Sequence, residues 1–157
     1  LGAAVSTFLS QNYGACKLER IHDGYHKGVM VSILYGAFAC VVMVFFGRIL
    51  SMMFVSANES QVLNASALYL RRMGYFYPVL GILITTRMSV QGLGYSARAM
   101  LAGFVEMIAR CIVALCFVPI FKYNAITWAD QAAWVAATLV LIPLWVSAMR
   151  AVQKKMS

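Results

Sequence analysis

Residues 28–47 carry no charge over twenty positions, and residues 131–149 carry none over nineteen. A helix crossing the hydrocarbon core of a bilayer needs about 20 mostly apolar residues. Two further apolar stretches lie between them. One covers residues 73–96 with Arg87 inside it, and the other covers residues 99–120 with Glu106 and Arg110 inside it. Buried strands of soluble sheets are shorter than this. The pattern predicts an all-α, polytopic helical membrane protein with at least four spanning helices, at approximately 25–48, 68–92, 97–120 and 127–150. Composition agrees. Soluble domains are about 25% charged, whereas this chain is 11% charged and 62% hydrophobic, with a mean hydropathy of +0.79. Thirteen basic and five acidic side chains cannot cover a water-facing surface, so lipid is the expected solvent.

Residues 1–10 are apolar or small, too short to span, and lack the basic start of a signal peptide. They are expected to be the tail of a helix that begins upstream, with residues 1–14 as its end and the chain as one piece of a longer product. Basic residues then suggest an orientation. Lys17, Arg20 and Lys27, then Arg98, then Arg150, Lys154 and Lys155 fall on one side if the helices alternate. Arg48, Arg71, Arg72 and Lys122, with Glu59 and Asp130, fall on the other. Short basic loops favour the cytoplasm, so a multi-pass protein of the cell membrane with a cytoplasmic C-terminus is expected. Arg71 and Arg72 oppose this bias, unless they start the next helix and snorkel to the interface. The net charge of +8 marks helix ends and forms no patch or stripe, which argues against a nucleic-acid partner.

Several residue types invite chemistry and have plainer readings. Cys16, Cys40, Cys111 and Cys116 form no C-x-x-C pair and read as small buried hydrophobes. His22 and His26 have helical spacing for a metal, but only Asp23 stands beside them and no H-E-x-x-H pattern exists. They read as a solvated helix start, and no metal or other cofactor is expected. Asn58-Glu59-Ser60 and Asn64-Ala65-Ser66 match the glycosylation sequon, which matters only in a source that glycosylates. Gln91-Gly92-Leu93-Gly94 lacks the strand, the third glycine and the lysine of a phosphate loop, so it reads as a tight turn between membrane helices. Gly14 is expected to close the first helix with positive φ. Trp128 and Trp145, near the ends of the last span, suggest interfacial belting.

Pro78 and Pro143 deprive the carbonyls of Gly74 and Leu139 of helical partners, so kinks are expected there; Pro119 lies where a helix should end. Gly74 and Gly81 flank Pro78 and make an adaptable segment. The strongest physical clue is Glu106 with Arg110, four apart and hence on one helix face. Each charge at mid-membrane costs roughly 2.5–3.5 kcal/mol, and the surrounding LAGFVEMIARCIVALC offers little else that is polar. The pair should face the bundle interior or an aqueous cavity, either locking helices together or forming part of an ion or solute path.

Residues 5–15 (VSTFLSQNYGA), 68–94 (LYLRRMGYFYPVLGILITTRMSVQGLG), 106–110 (EMIAR) and 129–134 (ADQAAW), in this order and spacing, resemble the multidrug and toxic-compound extrusion (MATE) family. The resemblance implies twelve helices in two six-helix lobes. It implies export of organic, often cationic compounds in exchange for sodium ions or protons, by secondary active antiport. It makes this chain a partial C-terminal lobe, the end of helix eight and helices nine to twelve. Its partners would then be the bilayer, the N-terminal lobe of the same polypeptide and an organic small-molecule substrate. Glu106 and Arg110 match charged positions of helix eleven, and Gln91 opens the Q-G-L-G turn. The acidic residue that couples cations on helix ten of some members has no counterpart, and that helix carries Arg87 instead. Glu106, Arg110 and Arg87 are therefore the expected ion or substrate pathway, with Gln91, Gly92, Gly94 and Pro78 as turn and kink. The competing class is a non-transporting membrane assembly segment, or a non-catalytic part of a membrane enzyme. No paired acids, histidine cluster or nucleophile with a base supports enzymatic chemistry here.

Overall fold

The computed structural model describes residues 1–54 and 59–156. Asn58 of the first sequon lies outside them. Asn64 of the second sits within a helix. The described residues form seven α-helices and no strand: α1 (Gly2–Gly14), α2 (Leu18–Met52), α3 (Ser60–Tyr75), α4 (Tyr77–Gly92), α5 (Ser96–Ile112), a π-helical segment (Val113–Phe117), α6 (Val118–Phe121) and α7 (Tyr123–Met156). Among the described residues, three continuous helices are long and apolar enough to cross a membrane: Leu18–Met52, Ser96–Phe121 and Tyr123–Met156. The chain is an all-α helical membrane protein.

The expected fourth continuous span, 68–92, is a broken one. It starts earlier, at Ser60, and divides into α3 and α4 at Phe76, whose φ of −103° and ψ of 2° leave the helical region. The cause is Pro78, which lies in the first turn of α4. A proline there needs no N–H and is pre-set for the helix, whereas its missing N–H denies the Gly74 carbonyl its i+4 donor and so ends α3. Phe76 N–H closes α3 on the Met73 carbonyl at 3.0 Å, and the Phe76 carbonyl opens α4 by accepting Leu80 N–H at 3.0 Å. Pro78 thus starts a helix where a kink was expected. Each half has sixteen residues, about 24 Å of helix, and neither crosses alone.

The halves run end to end along α2, which is held close by small residues. Gly47 faces Leu70, Gly74 faces Met43, Gly36 faces Pro78 and Gly81 faces Ser32. A Cβ on Gly36 would lie 2.7 Å from the Cα and N of Pro78 and 2.8 Å from the Tyr77 carbonyl oxygen, so α2 packs directly against the break. Small residues allow such approach where lipid supplies no hydrophobic drive between helices. Ser32 bonds Thr85, and Tyr25 bonds Thr86 at 3.0 Å, across the same interface. α1 lies parallel to α4, with Gly2 at Ile84 and Ser6 at Gly92. The core gathers Leu9, Ile21, Leu83, Val90, Leu141 and Trp145 from α1, α2, α4 and α7. The outer faces are apolar: Leu34, Phe38 and Phe45 on α2 and Met100, Phe104 and Ile108 on α5 are exposed.

Other expectations shift in detail. Gly14 does not carry the left-handed turn after α1. Cys16 does, at φ 55°, because Lys17 N–H reaches back to the Asn12 carbonyl and Cys16 N–H to that of Tyr13. Pro119 does not end its helix; the wide π turn lets the chain pass it and continue to Phe121 before Lys122 reverses direction at φ 48°. Pro143 lies inside a continuous α7. Trp145 is no belt residue: α7 runs on to Met156, and Trp145 turns inward to stack on Tyr25 with centroids 3.9 Å apart. Trp128 is exposed. The cysteines are not buried hydrophobes either. All are free; Cys16 is exposed in the α1–α2 turn, Cys111 and Cys116 are exposed on the outer face, and Cys40 is half-buried.

Candidate functional site: a charge chain across the broken helix

Glu106 and Arg110 do pair, at 2.9 Å between Oε1 and Nη2, as the i, i+4 spacing on α5 requires. They are the middle of a longer chain. Arg87 of α4 donates from Nη2 to Glu106 Oε2 at 2.6 Å. Arg110 donates from Nε to Asp130 Oδ1 of α7 at 3.0 Å. Tyr69 of α3 donates its hydroxyl proton to Asp130 Oδ2 at 2.8 Å. Two arginines and two acids therefore balance to zero, and all four carboxylate oxygens accept a hydrogen bond. Balanced, hydrogen-bonded charge is the form in which ions survive in an apolar bundle. Glu106 is the least exposed of the four charged members, at 14%, against 27% for Arg87 and 46% for Arg110.

The ends of this chain lie on opposite sides of the helix break. Tyr69 belongs to α3 and Arg87 to α4, with Phe76 between them. α5 and α7 thus hold both halves of the broken span through side-chain charge. Arg72, at the end of α3, adds bonds to Asn124 at 3.0 Å and to Thr127 of α7. Phe76 itself meets Trp128 edge-on at 5.9 Å.

The three expected pathway residues, Glu106, Arg110 and Arg87, are brought together, and Asp130 and Tyr69 join them from stretches assigned to other roles. Charge counting could have found Asp130. Arg87 and Arg110 against Glu106 leave one cation unmatched. The other acids, Glu19, Asp23 and Glu59, sit by the helix-linking turns, whereas Asp130 adjoins the last uncharged run. Tyr69 carries no such signal. The structure also leaves Gln131 with both amide atoms unbonded, although the residue is only 1% exposed.

Gln91, Gly92 and Gly94 lie apart from the charges and build the α4–α5 turn as expected. Gly94 takes φ 87°, with Gly94 N–H bonded to the Gln91 carbonyl at 2.9 Å and Tyr95 N–H to that of Val90 at 3.1 Å. Gly92 is needed for contact, since a Cβ there would strike Ser6 Oγ at 2.6 Å. At the same end of the bundle Lys155 and Arg98 lie over the Tyr95 ring, 5.9 and 4.5 Å from its centroid. The basic tail and the basic turn therefore share a side. His22 and His26 stack at 6.4 Å on α2.

A broken helix beside partly buried, balanced charges, among spanning helices, is the kind of arrangement found in membrane transporters. The MatE family model matches residues 1–116. The chain belongs to the MatE family, a family of transporters. No curated protein and no solved structure matches it.

Proposed function

We propose that the chain works as part of a secondary active antiporter that exports organic, often cationic compounds in exchange for inward sodium ions or protons. In this reading it is a portion of a C-terminal lobe in the cell membrane, completed by an N-terminal lobe of the same polypeptide, with its C-terminus in the cytoplasm. The observation that carries the reading is the charge chain tying both halves of a broken helix to α5 and α7. Discontinuous helices and buried charges are the parts from which alternating access is built. With every carboxylate oxygen already accepting one hydrogen bond, an entering cation competes with a guanidinium or the Tyr69 hydroxyl for its carboxylate. Displacement loosens one half of the broken span from its neighbours, which couples ion entry to helix movement without covalent chemistry.

The test uses the full-length protein in vesicles under an imposed sodium or proton gradient, with an organic cation dye as cargo. Glu106→Gln and Asp130→Asn should abolish gradient-driven dye movement at normal membrane insertion. Unchanged transport in both would remove the charge chain from the mechanism. Orientation is tested by single cysteines at Ser96 and Lys154 in a cysteine-free background. Strong labelling of either by an impermeant external reagent in intact cells would reverse the topology.

A further inference from the structure

A second feature of the bundle lies off the charge chain. Where the π-helical segment widens the end of α5, a cavity of about 670 Å³ opens between α3, α5–α6 and α7, lined by Arg72, Phe117, Phe121, Asn124 and Trp128 among others. Among the described residues Arg72 is the only charged side chain on its wall. Among the described residues Arg72 makes no ion pair. Its guanidinium lies over the Trp128 ring, 5.5 Å from the centroid, and Nη1 is turned to Asn124 and Thr127. That leaves Nη2 and Nε as a fork without an acceptor. Arginine's fork suits a phosphate oxygen pair. Phe117 and Phe121, both exposed and stacked on each other at 6.4 Å, make the rest of the wall apolar.

The depth of the cavity identifies the occupant. The uncharged run of α2 ends at Gly47, which packs against Leu70, one half-turn from Arg72. The uncharged run that closes the α5–α6 span, residues 111–121, ends at Lys122, two residues before Asn124. Two independent helices therefore put Arg72 at the edge of the hydrocarbon, the level of lipid headgroups, with aromatic residues beside it as at membrane interfaces. We propose that this cavity binds one glycerophospholipid, its phosphate on Arg72 and its acyl chain over Phe117 and Phe121, on the side of the membrane opposite the Tyr95 turn.

The test is native mass spectrometry of the full-length protein in detergent, titrated with dioleoylphosphatidylglycerol, with phosphate-free dioleoylglycerol, with inorganic phosphate and with 2-naphthoate. One phosphatidylglycerol should be retained at least tenfold more tightly than dioleoylglycerol. Arg72→Gln should lower that retention at least tenfold, and Arg71→Gln, one residue away but off this cavity, should leave it near the parent value. Phe117→Ala keeps the cation and should weaken lipid retention severalfold, and it decides the matter if Arg72→Gln does not fold. Equal loss in Arg71→Gln and Arg72→Gln, or full retention in Arg72→Gln or Phe117→Ala, would overturn the site. Tighter binding of inorganic phosphate or 2-naphthoate than of the phospholipid would overturn the lipid as its occupant.

Discussion

Replacing Glu106 by glutamine removes the one carboxylate that Arg87 touches, and the structure shows why this should be the most damaging single cut among Arg87, Glu106 and Arg110. Arg110 would keep Asp130 at 3.0 Å, but Arg87, 27% exposed, would keep no acid. Orphaning one partner of a buried ion pair costs about 3–5 kcal/mol, while exposed pairs are worth about 0–1 kcal/mol. The intermediate burial of Arg87 points to a loss of roughly 2–3 kcal/mol between those limits. Arg110→Gln should cost less, about 1 kcal/mol, because Glu106 keeps Arg87, and Asp130, though left without a cation, keeps the hydrogen bond from Tyr69. Arg87→Gln should cost a similar amount, since Glu106 keeps Arg110. The double variant Arg87→Gln/Glu106→Gln leaves no orphaned charge and should fall short of the sum of its singles by at least 1 kcal/mol. Stability of the full-length protein in detergent, read as denaturation free energy or thermal midpoint, measures all four. A Glu106→Gln loss no larger than that of Arg110→Gln, or additive losses for Arg87 and Glu106, would refute the reasoning.

Gly36→Ala places a Cβ against the backbone of Tyr77 and Pro78 and should destabilise the full-length protein by about 1–3 kcal/mol through overpacking; a neutral result in the same denaturation assay would mean that α2 stands off the break. Gly94→Ala forces an L-residue to φ 87° and should cost about 1–2 kcal/mol, which an unchanged thermal midpoint would contradict. Gln131→Leu removes a buried amide with no bonded atom and should stabilise by about 1–3 kcal/mol; a clear loss of stability would show that the amide is hydrogen-bonded inside the bundle.

The ends of the chain were the most legible. The uncharged runs at 28–47 and 131–149 lie inside α2 and α7, but both helices extend well past them. Apolarity reports where lipid begins and ends, while backbone hydrogen bonding carries a helix into polar surroundings. The middle was harder because Pro78 has two meanings: inside a helix it kinks, and in a first turn it starts a new helix. The small residues at four-residue spacing on α2, Gly24, Gly28, Ser32, Gly36 and Cys40, were a readable sign of a close helix partner. Gly94 was legible because only a positive φ joins α4 to α5 so tightly. Gly14 was misleading, since the hydrogen bonds of that turn put the left-handed position on Cys16. In the site, one helix was enough to infer Glu106 with Arg110, whereas Asp130 and Tyr69 reach them only through the packing of α7 and α3.

The order of the charge chain determines what each cut does mechanically. Severing it at Arg110 leaves Arg87 with Glu106 on one side and Asp130 with Tyr69 on the other, so each half of the broken helix keeps a partner but α5 loses its tie to α7. Severing it at Asp130 leaves α4 tied to α5 through Arg87, while Tyr69 of α3 loses its acceptor. Arg72 still joins α3 to α7 through Asn124 and Thr127. Severing it at Glu106 does the reverse: α3 stays tied through Asp130, and α4 loses its charged tie and keeps an unmatched cation. The two acids thus control different halves of one span. In the proposed antiport, a cation that competes for either carboxylate would weaken the charged tie of that half alone, while Arg72 goes on joining α3 to α7.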